Sequence, residues 1–234
     1  MDVRLLVCLK APLPGLAKTR LAAGIGPEAA LGAYRAMVAD VLAAADASGL
    51  PTTIHFAPTD ALAAVRDLCG RDREYRPQAA GDLGARMAGA LAAAFAAGAG
   101  AALLVGGDLP LLTGGLLARA AGLLATADAV LGPATDGGYY AIGFTRAGFC
   151  PEAFADMPWS TPAVAGRTLA ALGRAGRRVA LLPTLPDCDT PADLAALSRP
   201  PWRERLAGTA FGAFLAALPR DSFDHNPAYR LFMP

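Results

Sequence analysis

Apolar residues in this chain gather in short runs, and between the runs they recur at helical spacing, so that two patterns alternate along most of its length. Residues 4–9 form a continuous apolar run that predicts a buried strand. Residues 52–57 are β-branched and aromatic and predict a second. Further strands are expected at 74–76, 101–105, 129–131, 139–144 and 179–182. Between them, helices are expected at 27–48, 60–68, 82–97, 114–126, 161–175 and 191–197. Pro27 and Glu28 suit a first helical turn, Asp60 and Asp82 suit caps, and Gly98 and Gly100 suit a stop. The alternation implies an α/β fold, with a mostly parallel sheet covered by helices on both faces. One place departs from it. The strands at 129–131 and 139–144 are joined by the tight turn Asp136-Gly137-Gly138, which predicts an antiparallel strand and a mixed sheet.

Composition narrows the partners. With 54% hydrophobic and 18% charged residues in 234, the chain has material for one large core. A net charge of +1 argues against a nucleic-acid groove. No apolar run reaches the roughly 20 residues of a membrane span, and the amino terminus is too short in apolar residues for a signal peptide. Cys8, Cys69, Cys150 and Cys188 lack paired ligand spacing, so reduced thiols in a cytoplasmic protein are expected.

The candidate chemistry sits where strands are expected to end. Both lysines, Lys10 and Lys18, fall in the segment 10–21 beside Arg20, although every other basic residue is arginine. Compact ammonium groups and a forked guanidinium suit a phosphate-bearing ligand, and the segment follows the first strand, where open α/β folds hold nucleotides. Pro12 and Gly15 shape this loop. Asp108, after Gly106-Gly107, is an isolated carboxylate at a strand end, suited to Mg²⁺ or Mn²⁺ or to a turn. Asp187 and Asp189 lie on one side of an extended backbone. They fit shared metal ligation, and helix capping before Pro191 explains the pattern equally well. Asp136 stands beside Gly137 and Gly138 where an acceptor could lose a proton. Asp82 and Arg86 open a helix whose first turn could meet phosphate or base. Trp159, in a proline-bounded loop with Ser160 and Thr161, could stack on a sugar or anchor the loop. His55 and His225 have no suggestive neighbours, and neither a phosphate-binding P-loop nor a nucleophile elbow is present.

Taken in order, Lys10-x-Pro12-x-Pro14-Gly15-x-x-Lys18-Thr19-Arg20-Leu21, Gly81-Asp82-Leu83-Gly84-x-Arg86-Met87, Gly107-Asp108-x-Pro110 and Gly132-Pro133-Ala134-x-Asp136-Gly137-Gly138-Tyr139-Tyr140 resemble the DUF2064 family. Pro158-Trp159-Ser160-Thr161 and Asp187-x-Asp189-Thr190-Pro191-x-Asp193-Leu194 extend the likeness to about residue 197. Members are labelled glycosyltransferases of radical-SAM, selenium-type and arsenosugar-biosynthesis settings. The resemblance implies a GT-A type α/β/α sandwich of the nucleotide-diphospho-sugar transferases. By it, Lys10, Lys18 and Arg20 would face nucleotide phosphates, and Asp108 would bind the metal with help from Asp187 or Asp189. The family's usual metal motif in this fold is Asp-x-Asp, and Gly106-Gly107-Asp108 offers one aspartate in its place.

The activity expected is metal-dependent transfer of a sugar from a nucleoside-diphosphate sugar to a small-molecule acceptor held near Asp136, Gly137, Gly138, Tyr139, Trp159, Ser160 and Thr161. Lys18-x-Arg20 and Gly107-Asp108-x-Pro110 are also similar to 2-phospholactate guanylyltransferases and molybdenum-cofactor nucleotidyltransferases. Nucleotidyl transfer from an NTP therefore stays open, as does a nucleotide-binding domain without turnover. The transferase domain is expected at 1–198. An aromatic-rich extension at 199–234, with a helix at 207–218, is expected to pack on the same domain or on a second subunit of a homodimer.

Overall fold

The computed structural model describes residues 1–219. Seven strands form one sheet: β1 (Val3–Lys10), β2 (Thr52–Ala57), β3 (Glu74–Pro77), β4 (Ala101–Gly106), β5 (Ala129–Pro133), β6 (Tyr139–Thr145) and β7 (Val179–Leu181). Their spatial order is β3-β2-β1-β4-β6-β5-β7. All neighbours run parallel except β6, which is antiparallel to both β4 and β5. The reversed strand is thus the one after the Asp136-Gly137-Gly138 turn.

The helices are α1 (Thr19–Ile25), α2 (Pro27–Ser48), α3 (Leu62–Cys69), α4 (Leu83–Ala96), α5 (Gly114–Leu123), α6 (Val164–Arg174), α7 (Pro191–Leu197), α8 (Trp202–Arg205) and α9 (Ala210–Ala217). Strand alternation divides the core into two layers. Leu5, Val7 and Leu9 of β1 and Leu103 and Val105 of β4 pack with Met37, Val38 and Val41 of α2 and Leu117 of α5. Leu6, Leu104, Ile142 and Phe144 point the other way, onto Met87 and Leu91 of α4 and Leu172 of α6. The result is a three-layer α/β/α sandwich whose parallel strands β1 and β4 end on the same edge.

Several expected boundaries move. Helix α1 lies inside the lysine loop, where no helix was expected. It starts after Lys18, whose backbone is left-handed (φ 53°) and whose side chain makes no cap. Asp60 does not cap α3, which begins beyond Ala61 without a side-chain bond. The helix expected at 161–175 starts at Val164 because Thr161 Oγ1 donates to Pro158 O and holds a turn instead. The helix expected at 207–218 is shorter, since Gly208 (φ 82°) breaks the chain and Thr209 caps α9.

The described part of the extension docks onto α2. The buried Asp40 carboxylate accepts from the Ala210 and Phe211 amides at 2.7 and 2.9 Å, and Phe211 is fully buried. Charge-assisted bonds of this kind contribute about 1.5–3 kcal/mol. Asp40→Ala should therefore lower the melting temperature by about 3–12 °C, and an unchanged melting curve would show that these two bonds add nothing to stability. Phe223, His225, Tyr229 and Phe232 lie outside the described residues. Among those described, no helix is long and apolar enough to cross a membrane.

Candidate functional site

The carboxyl edge of β1 and β4 carries the densest charge network of the fold. Lys18 is placed by its left-handed backbone so that its ammonium reaches Asp108, beyond β4, at 2.6 Å and Asp189, before α7, at 2.7 Å. Arg20 donates to the other oxygen of Asp189 at 2.6 Å. The Lys18 side chain is 3% exposed, whereas Asp108 and Asp189 are 38% and 34% exposed and open towards the cleft. Burial works against the Lys18 charge, but the two carboxylates outweigh it and hold the ammonium well above the usual lysine range. Asp189 is the counterpart: burial opposes its ionisation, yet Lys18 and Arg20 together keep it below the usual carboxylate range.

At 187–193 the capping falls to Thr190 and Asp193. Thr190 caps α7 and pairs with Asp193 in a capping box, and Asp193 also accepts from the Asp189 amide. That frees the Asp189 side chain for Lys18 and Arg20. Asp187 and Asp189 do not converge on one partner. Asp187 accepts from Thr135 Oγ1 at 3.3 Å, and burial followed by the Asp136 charge pushes its carboxyl up.

Two adjoining cavities share this network. The first, of 460 Å³, runs from Lys10 and Cys8 past Lys18 and Arg20 to Tyr34, Gln78 and Arg86. The second, of 530 Å³, is walled by Asp136, Gly138, Tyr139, Trp159, Ser160, Thr161 and Asp187. Lys18, Arg20, Asp108, Tyr139 and Asp189 belong to both. Pro12, Gly15, Asp82 and Gly137 line neither cavity. Asp82 uses its carboxylate on the Ala85 amide at 2.8 Å as the cap of α4. Arg86 Nε donates to Gly81 O at 3.0 Å, which leaves its terminal nitrogens towards the first cavity. Burial pushes the Cys8 thiol up to about 12, which keeps it protonated near neutral pH.

The wall around Asp136 is held by close packing. Asp136 Oδ1 accepts from the Gly138 amide at 2.8 Å. Gly137 has φ 87°, and a Cβ there would stand 2.3 Å from Pro162 O, so only glycine fits. The Ala165 amide donates to Gly137 O at 2.9 Å, which fastens the turn to the start of α6. Trp159 packs edge-on to Tyr139, ring centres 6.5 Å apart, and lies over Gly84, where a Cβ would come within 2.8 Å of the indole. The indole therefore both anchors its loop and faces the cavity.

Two residues here escape sequence reasoning. Tyr34 Oη donates to Lys10 O at 2.7 Å and accepts from the Lys10 amide at 3.0 Å, pinning the end of β1. Gln78 Nε2 donates to Leu9 O and His55 O at 3.2 and 3.0 Å, which fixes its amide so that its oxygen, with no hydrogen-bond donor among the described residues, is left to the first cavity. No motif marks it, since its place depends on how β3 pairs with β2.

Comparisons with known proteins follow this geometry. A protein from Desulfovibrio desulfuricans G20, a proposed nucleotide-diphospho-sugar transferase, is 33% identical, with a TM-score of 0.87 over 92% of this chain and 94% of its own. The 4-diphosphocytidyl-2C-methyl-D-erythritol synthase of Anaerococcus prevotii DSM 20548 is 10% identical, with a TM-score of 0.56 over 85% of this chain and all of its own. Rv0371c of Mycobacterium tuberculosis H37Rv, solved with manganese, is 18% identical, with a TM-score of 0.52 over 84% and 98%. The last two share the fold. No curated protein matches the sequence. Residues 39–161, over half of the chain, match the family described as "Uncharacterized protein conserved in bacteria (DUF2064)". With that match and the relative from Desulfovibrio, the chain belongs to the DUF2064 family.

Proposed function

We propose that this chain is a metal-assisted transferase that moves a sugar from a nucleoside diphosphate to a small-molecule acceptor. The observation that carries the reading is the shared boundary. One cluster of two cations and two carboxylates forms the junction of two cavities, one lined by basic groups and one by Asp136 and aromatic side chains. A group transfer needs two reactants held end to end at a charged point, and most of the catalysis is then positioning and electrostatics. The name of the Desulfovibrio relative agrees with this chemistry.

In this reading Lys10, Lys18, Arg20 and Arg86 take the phosphates, and the Gln78 oxygen accepts an N–H from the base. Tyr139, Trp159, Ser160 and Thr161 hold the acceptor, whose proton passes to Asp136. Among the described residues no three Asp, Glu, His or Cys side chains gather into a metal cage. Mg²⁺ and Mn²⁺ at phosphates need no such cage, since one or two carboxylates and the phosphate oxygens suffice. Asp108 and Asp189 fit that requirement, because they already share one cation, the Lys18 ammonium. A divalent ion held by these two would supply neutralisation of the departing diphosphate.

Nucleotidyl transfer is the second reading, favoured by Lys18 and Arg20 lying on the boundary itself, where a triphosphate would be cleaved. Products separate the two. Incubation with UDP-, GDP- and CDP-sugars and with free NTPs, with Mn²⁺, should release nucleoside diphosphate from a nucleotide sugar. Pyrophosphate release from an NTP would transfer the assignment to the second reading. Nucleotide binding without either product would leave a binding domain.

A further inference from the structure

The groups that the proposed function needs for phosphate and for metal are bound to each other. Lys18 gives its ammonium to Asp108 and Asp189, and Arg20 gives its guanidinium to Asp189. Formal charges in the cluster cancel, two positive against two negative. Such a cluster draws neither an anion nor a cation strongly, because each incoming charge meets groups already neutralised. The contacts also take up Asp108 Oδ2 and, with Arg20, both oxygens of Asp189. Carboxylate oxygens 2.6 and 2.7 Å from one nitrogen cannot place the same lone pairs on a cation about 2.1 Å away. Among the described residues, the polar side chains that the ammonium meets are these two carboxylates. Its backbone is held left-handed, a strained conformation for a lysine that persists only where the surroundings impose it.

We propose that Lys18 is an exchangeable internal cation, which locks Asp108 and Asp189 until a divalent metal and a phosphate ligand arrive together. The metal takes the carboxylates and the phosphate takes Lys18 and Arg20, so that three pairings are traded for four new ones. No bond is made or broken. Either ligand alone must break the network and leave half of it unpaired, which is costly above all for the buried Lys18 ammonium. Metal and nucleotide therefore bind with positive coupling, and the factor is the same in both directions. The inference rests on the nucleotide reading above, but it has a consequence that needs no nucleotide. Removal of the ammonium removes the metal's competitor. Lys18→Gln should bind Mn²⁺ alone more tightly than the wild type, although it binds nucleotide less well.

The test is Mn²⁺ titration followed by electron paramagnetic resonance, without nucleotide, on wild type and Lys18→Gln, with Arg20→Gln alongside. Lys18→Gln should gain about tenfold in Mn²⁺ affinity, a coupling of ordinary size, with a smaller gain for Arg20→Gln, which faces Asp189 alone. Equal or weaker Mn²⁺ binding by Lys18→Gln overturns the exchange. Should that variant not fold, wild-type calorimetry decides: nucleotide affinity should rise about tenfold with Mn²⁺, and equal affinities with and without it also overturn the exchange. Failure of the wild type to bind any nucleotide sinks the functional reading instead, and the Mn²⁺ comparison still stands apart from it.

Discussion

Asp108→Asn is expected to lower turnover by about a hundredfold or more, the usual effect of removing a group aimed at developing charge. Asp108 leaves β4 after two glycines, and one of them, Gly107, lies so close to Leu9 that a Cβ would come within 2.7 Å. The backbone there is therefore fixed by packing, and asparagine can keep the same shape. Lys18 keeps Asp189 as a partner, so the buried ammonium is not stranded and the melting temperature should fall by only a few degrees. Initial rates of diphosphate or pyrophosphate release, measured beside a melting curve, give both numbers. Turnover within about threefold of wild type would reduce Asp108 to a turn residue that pairs with Lys18.

The second large effect is on stability in acid. His55 is buried in β2 at 4% exposure, opposite Arg76 in the parallel ladder with β3. Its surroundings are Arg4, Leu6, Thr53, Glu74 and Arg76 on the sheet, Ala93 and Ala94 on α4, and Ala97 just beyond it. Burial first, then Arg76, lowers its pKa from 6.5 to about 4, against a smaller opposing pull from Glu74. The unfolded chain therefore takes up a proton that the folded one refuses. Stability is full above pH 6.5 and falls as pH drops towards 4, by on the order of 3 kcal/mol at the lower end. Denaturant titrations at pH 7 and pH 4.5 should show that loss in the wild type and a much smaller one in His55→Gln. The same loss in both proteins would place the acid sensitivity elsewhere.

The alternation of strands and helices could be read from the sequence because buried parallel strands need continuous apolar runs and their helices need a stripe. The antiparallel β6 was legible for a different reason, a two-glycine turn too short for a crossover. Helix α1 was not, since its seven residues start without a side-chain cap and stand among charged loop residues. At the site, residue types were legible and pairings were not. Lys18 and Asp189 are 171 positions apart, and only the order of strands in the sheet brings them together. Read singly, the lysine suggests phosphate and the aspartate suggests metal. In the fold, each satisfies the other. Gln78 carried no signal at all, because one amide in a loop acquires meaning only from the carbonyls of Leu9 and His55 that orient it.

The reversal of β6 has a consequence for how such a site can diversify. The side that carries Lys10, Lys18 and Arg20 is built from crossovers, where loop, helix and next strand are tied together, so a change in one alters the register of the rest. The other side is the tip of a hairpin between β5 and β6, fastened to the loop before α6 where Gly137 meets Pro162 and Ala165, and to the 185–187 segment through Ala134 and Thr135. A paired change at Gly137 and in the loop before α6 can reshape that wall while the Ala134 and Thr135 contacts keep the 185–187 segment in place. The fold thus separates a side that tolerates little variation from one that can be rewritten locally, and new acceptors would be reached through the second.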